Sequence, residues 1–163
     1  RLMNTDGLYE RLMHASLRFI SYRPRSEKEL HDFLLKKVSY WKTYGGSGVL
    51  EKVVERMRGL GYVDDKKFAS WWIDQRKTFK LKGNRLIIRE LQVKGVSEDI
   101  IEGSLSDFPS EKKLAKQAIK KKLLVWSSMR GMERRQKIYR YLASRGFDEE
   151  AIAGVIDAEE EKE

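Results

Sequence analysis

Apolar residues along this chain recur at the three- and four-residue spacing of amphipathic α-helices, and no stretch shows strand-like alternation. The first such stripe is formed by Leu8, Leu12, Ala15 and Phe19. The two prolines, Pro24 and Pro109, both lie between stripes, where a helix has to stop. The pattern predicts an all-α protein of nine helices.

Polar residues with helix-capping chemistry separate the apolar stripes. Ser26 and Glu29 have the spacing of a capping box, which places the start of the second helix. Asp64 or Asp65 is expected to cap the fourth helix, and Asn84 the fifth. Further starts are expected at Ser97, Ser110 and Asp148, with Gly131 just before the eighth helix. The stretch 43–48 is predicted to be a loop.

Two stretches 51 residues apart share a pattern centred on Gly95 and Gly146. Apolar residues stand eight, seven and four positions before each glycine, and a basic residue stands directly before it. The next residue is Val96 or Phe147, followed by a capping residue and the apolar positions of a second helix. This order predicts a helix, a left-handed glycine turn, and a second helix whose preceding apolar residue folds inward.

A less regular copy at 30–57 lacks the glycine and carries a longer loop from Val38 to Gly48. With one further helix before each copy, the sequence predicts three tandem three-helix modules at 8–60, 64–106 and 109–157. An acidic tail is predicted at 158–163. Tandem helical repeats stack on their neighbours, so we expect an elongated, curved array with a long surface for a partner.

The charge distribution predicts that this surface is positively charged. The net charge is +9, with seven basic residues and one acid over 76–94, and twelve basic residues and two acids over 111–145. Such clusters favour phosphate-rich or acidic partners. The predicted binding residues in the second and third modules are Arg76, Lys77, Lys80, Lys82, Arg85, Arg89, Arg130, Arg134, Arg135, Lys137 and Arg140.

The sequence offers few of the residue combinations that form an enzyme active site. Neither His14 nor His31 has a second histidine or a cysteine at metal-binding spacing, and the chain has no cysteine. Helix capping accounts for Asp64 and Asp65 better than a metal-dependent nuclease site does. We therefore predict a non-enzymatic protein without cofactor or metal, located in the cytoplasm, monomeric and not bound to membranes.

Four segments resemble the RecX family, the regulators of the bacterial RecA recombinase. RPRSEKEL at 23–30 is similar to R-x-x-S-x-x-E-L, and LGYVDDKKFA at 60–69 is similar to the family's GY-hydrophobic-DD-x-x-FA. RELQVKGV at 89–96 is similar to E-L-x-x-K-G-I, and YLASRGF at 141–147 follows in the expected order. The chain departs from the family at 80–84, where KLKGN replaces the frequent K-G-x-G-P.

The resemblance implies three tandem three-helix repeats and a role in homologous recombination and the SOS response. It further implies binding in the groove of the RecA–single-stranded DNA filament, which would dampen ATPase, strand exchange and co-protease activities. From the residues alone, two alternatives stay open. One is a helical protein that binds DNA or RNA directly, and the other is an adaptor for an acidic protein.

Overall fold

The computed structural model describes residues 5–41 and 46–162. Within these ranges the chain forms nine α-helices and no strand. Their bounds are α1 (Thr5–Ser21), α2 (Glu27–Tyr40), α3 (Gly46–Gly59), α4 (Asp65–Phe79), α5 (Asn84–Val93), α6 (Glu98–Ser106), α7 (Glu111–Val125), α8 (Gly131–Ser144) and α9 (Glu149–Glu160). The predicted fold class, an all-α helical repeat, is confirmed.

The helices pack in three consecutive groups, each around its own apolar core. Large, fully buried side chains include Leu30 and Met57 in the first core, Phe68 in the second and Phe147 in the third. Every closely packed pair of helices lies within one group. We call α1–α3 module 1, α4–α6 module 2 and α7–α9 module 3.

The predicted helix caps are partly confirmed. Ser26 and Glu29 form a complete capping box, and Asp64 accepts hydrogen bonds from the first backbone amides of α4. The assignment of Asn84 as a cap is wrong, because Gly83 occupies that position and Asn84 is the first residue of α5. Ser97 is the N-cap of α6, but its side chain makes no capping hydrogen bond.

Two predicted irregular segments are in part helical. Residues 43–45 of the predicted loop lie outside the described residues, whereas Gly46–Gly48 form the first turn of α3 rather than a loop. The start of the predicted acidic tail continues α9 as far as Glu160. Both differences arise at helix ends, where the position of the last turn depends on neighbouring packing.

The left-handed glycine turns are confirmed at both predicted positions. Gly95 has a φ of 78° and Gly146 a φ of 89°. After each glycine the backbone N–H of the next residue donates back into the preceding helix, from Val96 to the Leu91 carbonyl and from Phe147 to the Leu142 carbonyl, both at 3.1 Å. Val96 and Phe147 are buried, so the residue after each glycine folds into its core as predicted.

These turns also connect neighbouring modules. The turn of module 2 lies against the start of α2, where the Ser26 hydroxyl donates to the Lys94 carbonyl at 2.7 Å. The turn of module 3 lies against the start of α5, where the Gly83 amide donates to the Arg145 carbonyl at 2.8 Å. The two junctions are therefore equivalent, since each glycine turn packs on the second helix of the module before it.

A carboxylate completes each junction at the same structural position. The first residue of α4, Asp65, accepts a hydrogen bond from the Glu27 amide at 2.9 Å. The first residue of α7, Glu111, accepts one from the Asn84 amide. Burial raises the pKa of both carboxyl groups above the ordinary value. Each carboxylate thus caps a helix of the preceding module.

Replacing Gly95 with alanine is expected to destabilise the protein more than replacing Gly61. Both residues have a φ of 78°, where a side chain costs about 1 kcal/mol. A Cβ on Gly61 would meet nothing within 4 Å, whereas one on Gly95 would lie 2.6 Å from the Lys28 Cβ. Thermal unfolding of the two variants measures the difference. Equal melting temperatures would mean that the junction yields freely at Gly95.

Candidate binding surface

The predicted binding residues lie in four places in modules 2 and 3. Arg76 and Lys77 lie in the last turn of α4, and Lys80 and Lys82 follow in the loop to α5. Arg85 and Arg89 lie in α5. Arg130 precedes α8, which carries Arg134, Arg135, Lys137 and Arg140. Their burial and partners separate them into surface cations and cations used within the fold.

Glu90 holds two of these cations in a cluster around Trp72. The Glu90 carboxylate accepts hydrogen bonds from Arg76 Nε at 2.8 Å, from Lys82 Nζ at 3.0 Å and from the Trp72 indole at 2.7 Å. Burial alone would raise the pKa of Glu90, but these partners outweigh it and keep the pKa below its ordinary value. The carboxylate therefore stays ionised and offsets one of the two positive charges.

Lys77 is buried, which corrects its expected place on the basic face. Its ammonium donates to the Asn84 Oδ1 atom at 2.8 Å, beside the junction with module 3. Burial lowers the pKa of Lys77, although the nearby Glu111 carboxylate partly offsets this effect. Its positive charge was the reason to expect Lys77 at the surface, whereas its long apolar stem allows the ammonium to reach Asn84 at the junction.

Arg134 is also less accessible than predicted. Its side chain is 12% exposed, and its guanidinium donates to the Glu159 carboxylate at 3.1 Å and to the Trp126 carbonyl at 2.8 Å. Burial alone would raise the pKa of Glu159, but hydrogen bonds from Lys162 and Arg134 hold it below the ordinary value. The expectation of an exposed Arg134 is wrong, because this ion pair joins α8 to the end of α9.

Arg134→Glu is therefore expected to destabilise module 3. The variant would place a second carboxylate next to Glu159, and breaking a largely buried ion pair costs about 3 kcal/mol. The matched control is Arg135→Glu, because the Arg135 side chain is 51% exposed and its pair with Glu160 is long, at 3.6 Å. A surface pair of this kind contributes little to stability. Thermal unfolding should separate the two variants; identical melting curves would contradict the assignment.

The remaining predicted cations are exposed. Within the described part of the chain, none of them is ion-paired with a carboxylate: Lys80, Arg85, Arg89, Arg130, Lys137 and Arg140. Arg130 instead donates to the carbonyls of Ser127 and Met129. These side chains can meet an anionic partner without first breaking an ion pair.

Arg85 and α8 lie close together across the junction of modules 2 and 3. The Arg85 amide donates to the Gly146 carbonyl at 3.0 Å. The hydrogen bond to Glu149 raises the pKa of the Tyr139 hydroxyl, and the Arg85 guanidinium acts on the same hydroxyl in the opposite direction. Arg85 of α5 thus approaches α8, although the two are about fifty residues apart in sequence.

The prediction from sequence left out the lysines of α7. Lys112 pairs with Glu150, and Lys122 lies 5.9 Å from the ring centroid of Tyr141. Four others are exposed and have no ion pair with a described carboxylate: Lys113, Lys116, Lys120 and Lys121. Lys113, Lys116 and Lys120 recur at helical spacing and so share one side of α7. These lysines could have been predicted from the sequence, because α7 has the lysine-rich sequence EKKLAKQAIKKKLLV.

The departure from the family pattern at 80–84 coincides with an unusual backbone. Leu81 has a φ of 49°, the left-handed region that favours the glycine of the family pattern. Its side chain packs against the core of module 3. Asn84 replaces the proline, and its amide donates to Glu111, a bond that proline cannot make. The two substitutions therefore add contacts between modules 2 and 3.

The described residues contain no group of three or more histidine, cysteine or acidic side chains that could hold a metal ion. Among the same residues, no helix combines the length and apolar character needed to cross a lipid bilayer.

Comparisons with known proteins agree with the modular architecture. Two family models match: the second three-helix domain of RecX over residues 64–105, and the third over residues 110–156. A regulatory protein RecX from Chlorobium phaeobacteroides is 32% identical over 158 residues, covering 96% of this chain and 97% of that protein. A RecX from a Geobacillus species is 34% identical over 161 residues, covering 92% of this chain and 54% of that protein. The chain spans about half the length of the Geobacillus and Bacillus subtilis relatives.

Solved structures show the same fold. The crystal structure of RecX from Lactobacillus salivarius superposes with a TM-score of 0.81 at 20% identity, over 94% of this chain and 97% of that one. A second RecX crystal structure gives a TM-score of 0.76 at 24% identity, over 94% of this chain and 73% of that one. Given the two matching domain models and the identity to the Chlorobium protein over nearly the full length of both, this chain belongs to the RecX family of regulatory proteins.

Proposed function

We propose that this chain is a negative regulator of the RecA recombinase. In this proposal it lies in the groove of the RecA–single-stranded DNA filament and dampens ATPase, strand exchange and co-protease activities. Membership of the RecX family supports RecA as the partner. The distribution of exposed cations over α5, α7 and α8 supports an extended anionic target, because a small ligand would require them to converge on one point.

The modular architecture supports binding at several points along a filament. Each module has its own core, and equivalent junctions connect each module to the next. Once one module is bound, the next one meets its target at a high effective concentration, so several weak contacts give strong overall binding. A filament of repeating subunits offers such a series of sites.

Co-sedimentation tests this proposal against direct nucleic-acid binding. The chain is mixed with single-stranded DNA alone, and with DNA covered by RecA and a non-hydrolysed nucleotide. We expect much more of the chain to sediment with the filament, and expect RecA ATPase to fall in parallel. Equal binding to naked DNA and filament, with an unchanged ATPase, would contradict the proposal.

The exposed lysines of α7 favour a second candidate, direct binding to the phosphate backbone. Salt dependence measures that contribution. Affinity for single-stranded DNA should fall with a log–log slope of about 0.7 for each phosphate neutralised. If binding to the RecA filament depends only weakly on salt, contacts with the RecA protein would be the main source of affinity.

A further inference from the structure

Module 1 contains a cleft that is separate from the cations of modules 2 and 3. It lies between α1 and α2 and has a volume of about 460 Å³. Arg11, Arg18 and Tyr22 line one side. Their spacing of seven and four residues places them on one stripe of α1 and its continuation. This stripe differs from the face of α1 that enters the core of module 1, which carries Leu8 and Leu12.

The other side of the cleft is a matching stripe of α2. Phe33, Lys37 and Trp41 recur every four residues there. Cations and aromatic rings meet both across the cleft and within the α2 stripe. The Arg11 guanidinium lies 3.9 Å from the centroid of the Trp41 ring, and Lys37 Nζ lies 5.5 Å from that of Phe33. Cations at these distances are attracted to ring faces.

The charged side chains that line the cleft are basic. Among the described residues, no acidic side chain lines it. Arg18 and Lys37 form no ion pair with a described carboxylate. Tyr22 is 77% exposed, so its ring is available to a ligand. The site therefore offers positive charge for an anion and an accessible aromatic surface for a flat, apolar group.

We propose that this cleft binds one nucleotide of a single-stranded nucleic acid. The base stacks on the exposed ring of Tyr22, and the adjoining phosphate lies between Arg18 and Lys37. Aromatic rings beside a positively charged groove are the usual means of binding single strands without sequence preference. An acidic peptide would satisfy the cations but would leave the exposed ring without a stacking partner.

This inference deepens the proposed function and takes its biological setting from it, since a recombinase filament carries a single strand. Its test omits RecA, so the two proposals can fail separately. The probe is a short fluorescein-labelled oligothymidine titrated with the chain at low salt, with anisotropy as the readout. Tyr22→Ala should weaken binding at least about fivefold, the loss expected for one stacked base.

The charge contribution has a matched control within α2. Lys37→Glu should reduce the salt slope by about 0.7, the value for one phosphate. Lys36→Glu makes the same charge change at the neighbouring exposed position, which does not line the cleft, and should leave the slope unchanged. Circular dichroism verifies that each variant keeps its helices. Equal slopes for the two lysine variants would overturn the proposal.

Photo-cross-linking locates the contact independently of affinity. An oligonucleotide carrying 5-iodouracil should cross-link to the peptide that contains Tyr22. Cross-links confined to modules 2 and 3, or no binding of the naked oligonucleotide, would also overturn the nucleotide site. Neither result would contradict inhibition of the RecA ATPase, which is measured in a separate assay.

Discussion

Gly83→Ala is expected to lower the main unfolding transition by roughly 6–12 °C, which corresponds to about 3 kcal/mol for a chain of this size. Gly83 has an ordinary extended backbone, with a φ of −80°, so alanine suffers no conformational strain there. The cost comes from contact. A Cβ at this position would lie well under 3.0 Å from the Gly146 carbonyl and the Phe147 amide.

The substitution therefore acts on the junction between modules 2 and 3. The Gly83 amide donates to Arg145 and the Arg85 amide donates to Gly146, and an added methyl group would push these backbones apart. Amide hydrogen exchange at residues 83 and 85 should become faster, because both bonds cross the junction. Thermal unfolding gives the size of the effect and hydrogen exchange gives its location.

Gly103→Ala is the matched control for this prediction. Gly103 lies within α6, and a Cβ there would meet nothing within 4 Å. Alanine in a helix interior is favoured over glycine by roughly 0.5–1 kcal/mol, so this variant should melt at or above the wild-type temperature. A Gly83→Ala variant that melted with the wild type would show that the modules can separate slightly without loss of stability.

Reversing the exposed charges of modules 2 and 3 together is expected to abolish inhibition of the RecA ATPase. The module 2 variant is Arg85→Glu with Arg89→Glu, and the module 3 variant is Lys137→Glu with Arg140→Glu. Each pair should raise the inhibitory concentration about tenfold, and the combined variant should raise it about a thousandfold or more, because simultaneous engagement is lost. Arg134 is excluded from the design, since its ion pair with Glu159 stabilises the fold.

The control for charge reversal uses module 1. Lys36→Glu with Lys52→Glu changes the net charge by four units, as each of the two pairs does, at exposed positions of α2 and α3. This variant should inhibit nearly as well as the wild type. Circular dichroism verifies that all variants remain folded, as expected for exposed positions. If the combined variant inhibits like the control, the surface of modules 2 and 3 does not bind the filament.

The sequence alone determined the features that depend on local interactions. Helical spacing identified the all-α class, and the glycine-centred repeat identified left-handed turns at Gly95 and Gly146 with Val96 and Phe147 directed inward. The Ser26–Glu29 capping box was also predictable, because its partners lie three residues apart. Such features follow from the backbone conformation of a few neighbouring residues.

Only the tertiary structure decided which charged residues serve the fold and which face a partner. Lys77 and Arg134 resemble their neighbours in sequence, yet Lys77 bonds Asn84 beside a junction and Arg134 pairs with Glu159. Asp65 was a candidate cap for its own helix but caps α2 of the preceding module instead. Each partner lies in another helix. A long cationic side chain can extend into solvent or towards a buried acceptor, and the packing of the helices determines which occurs.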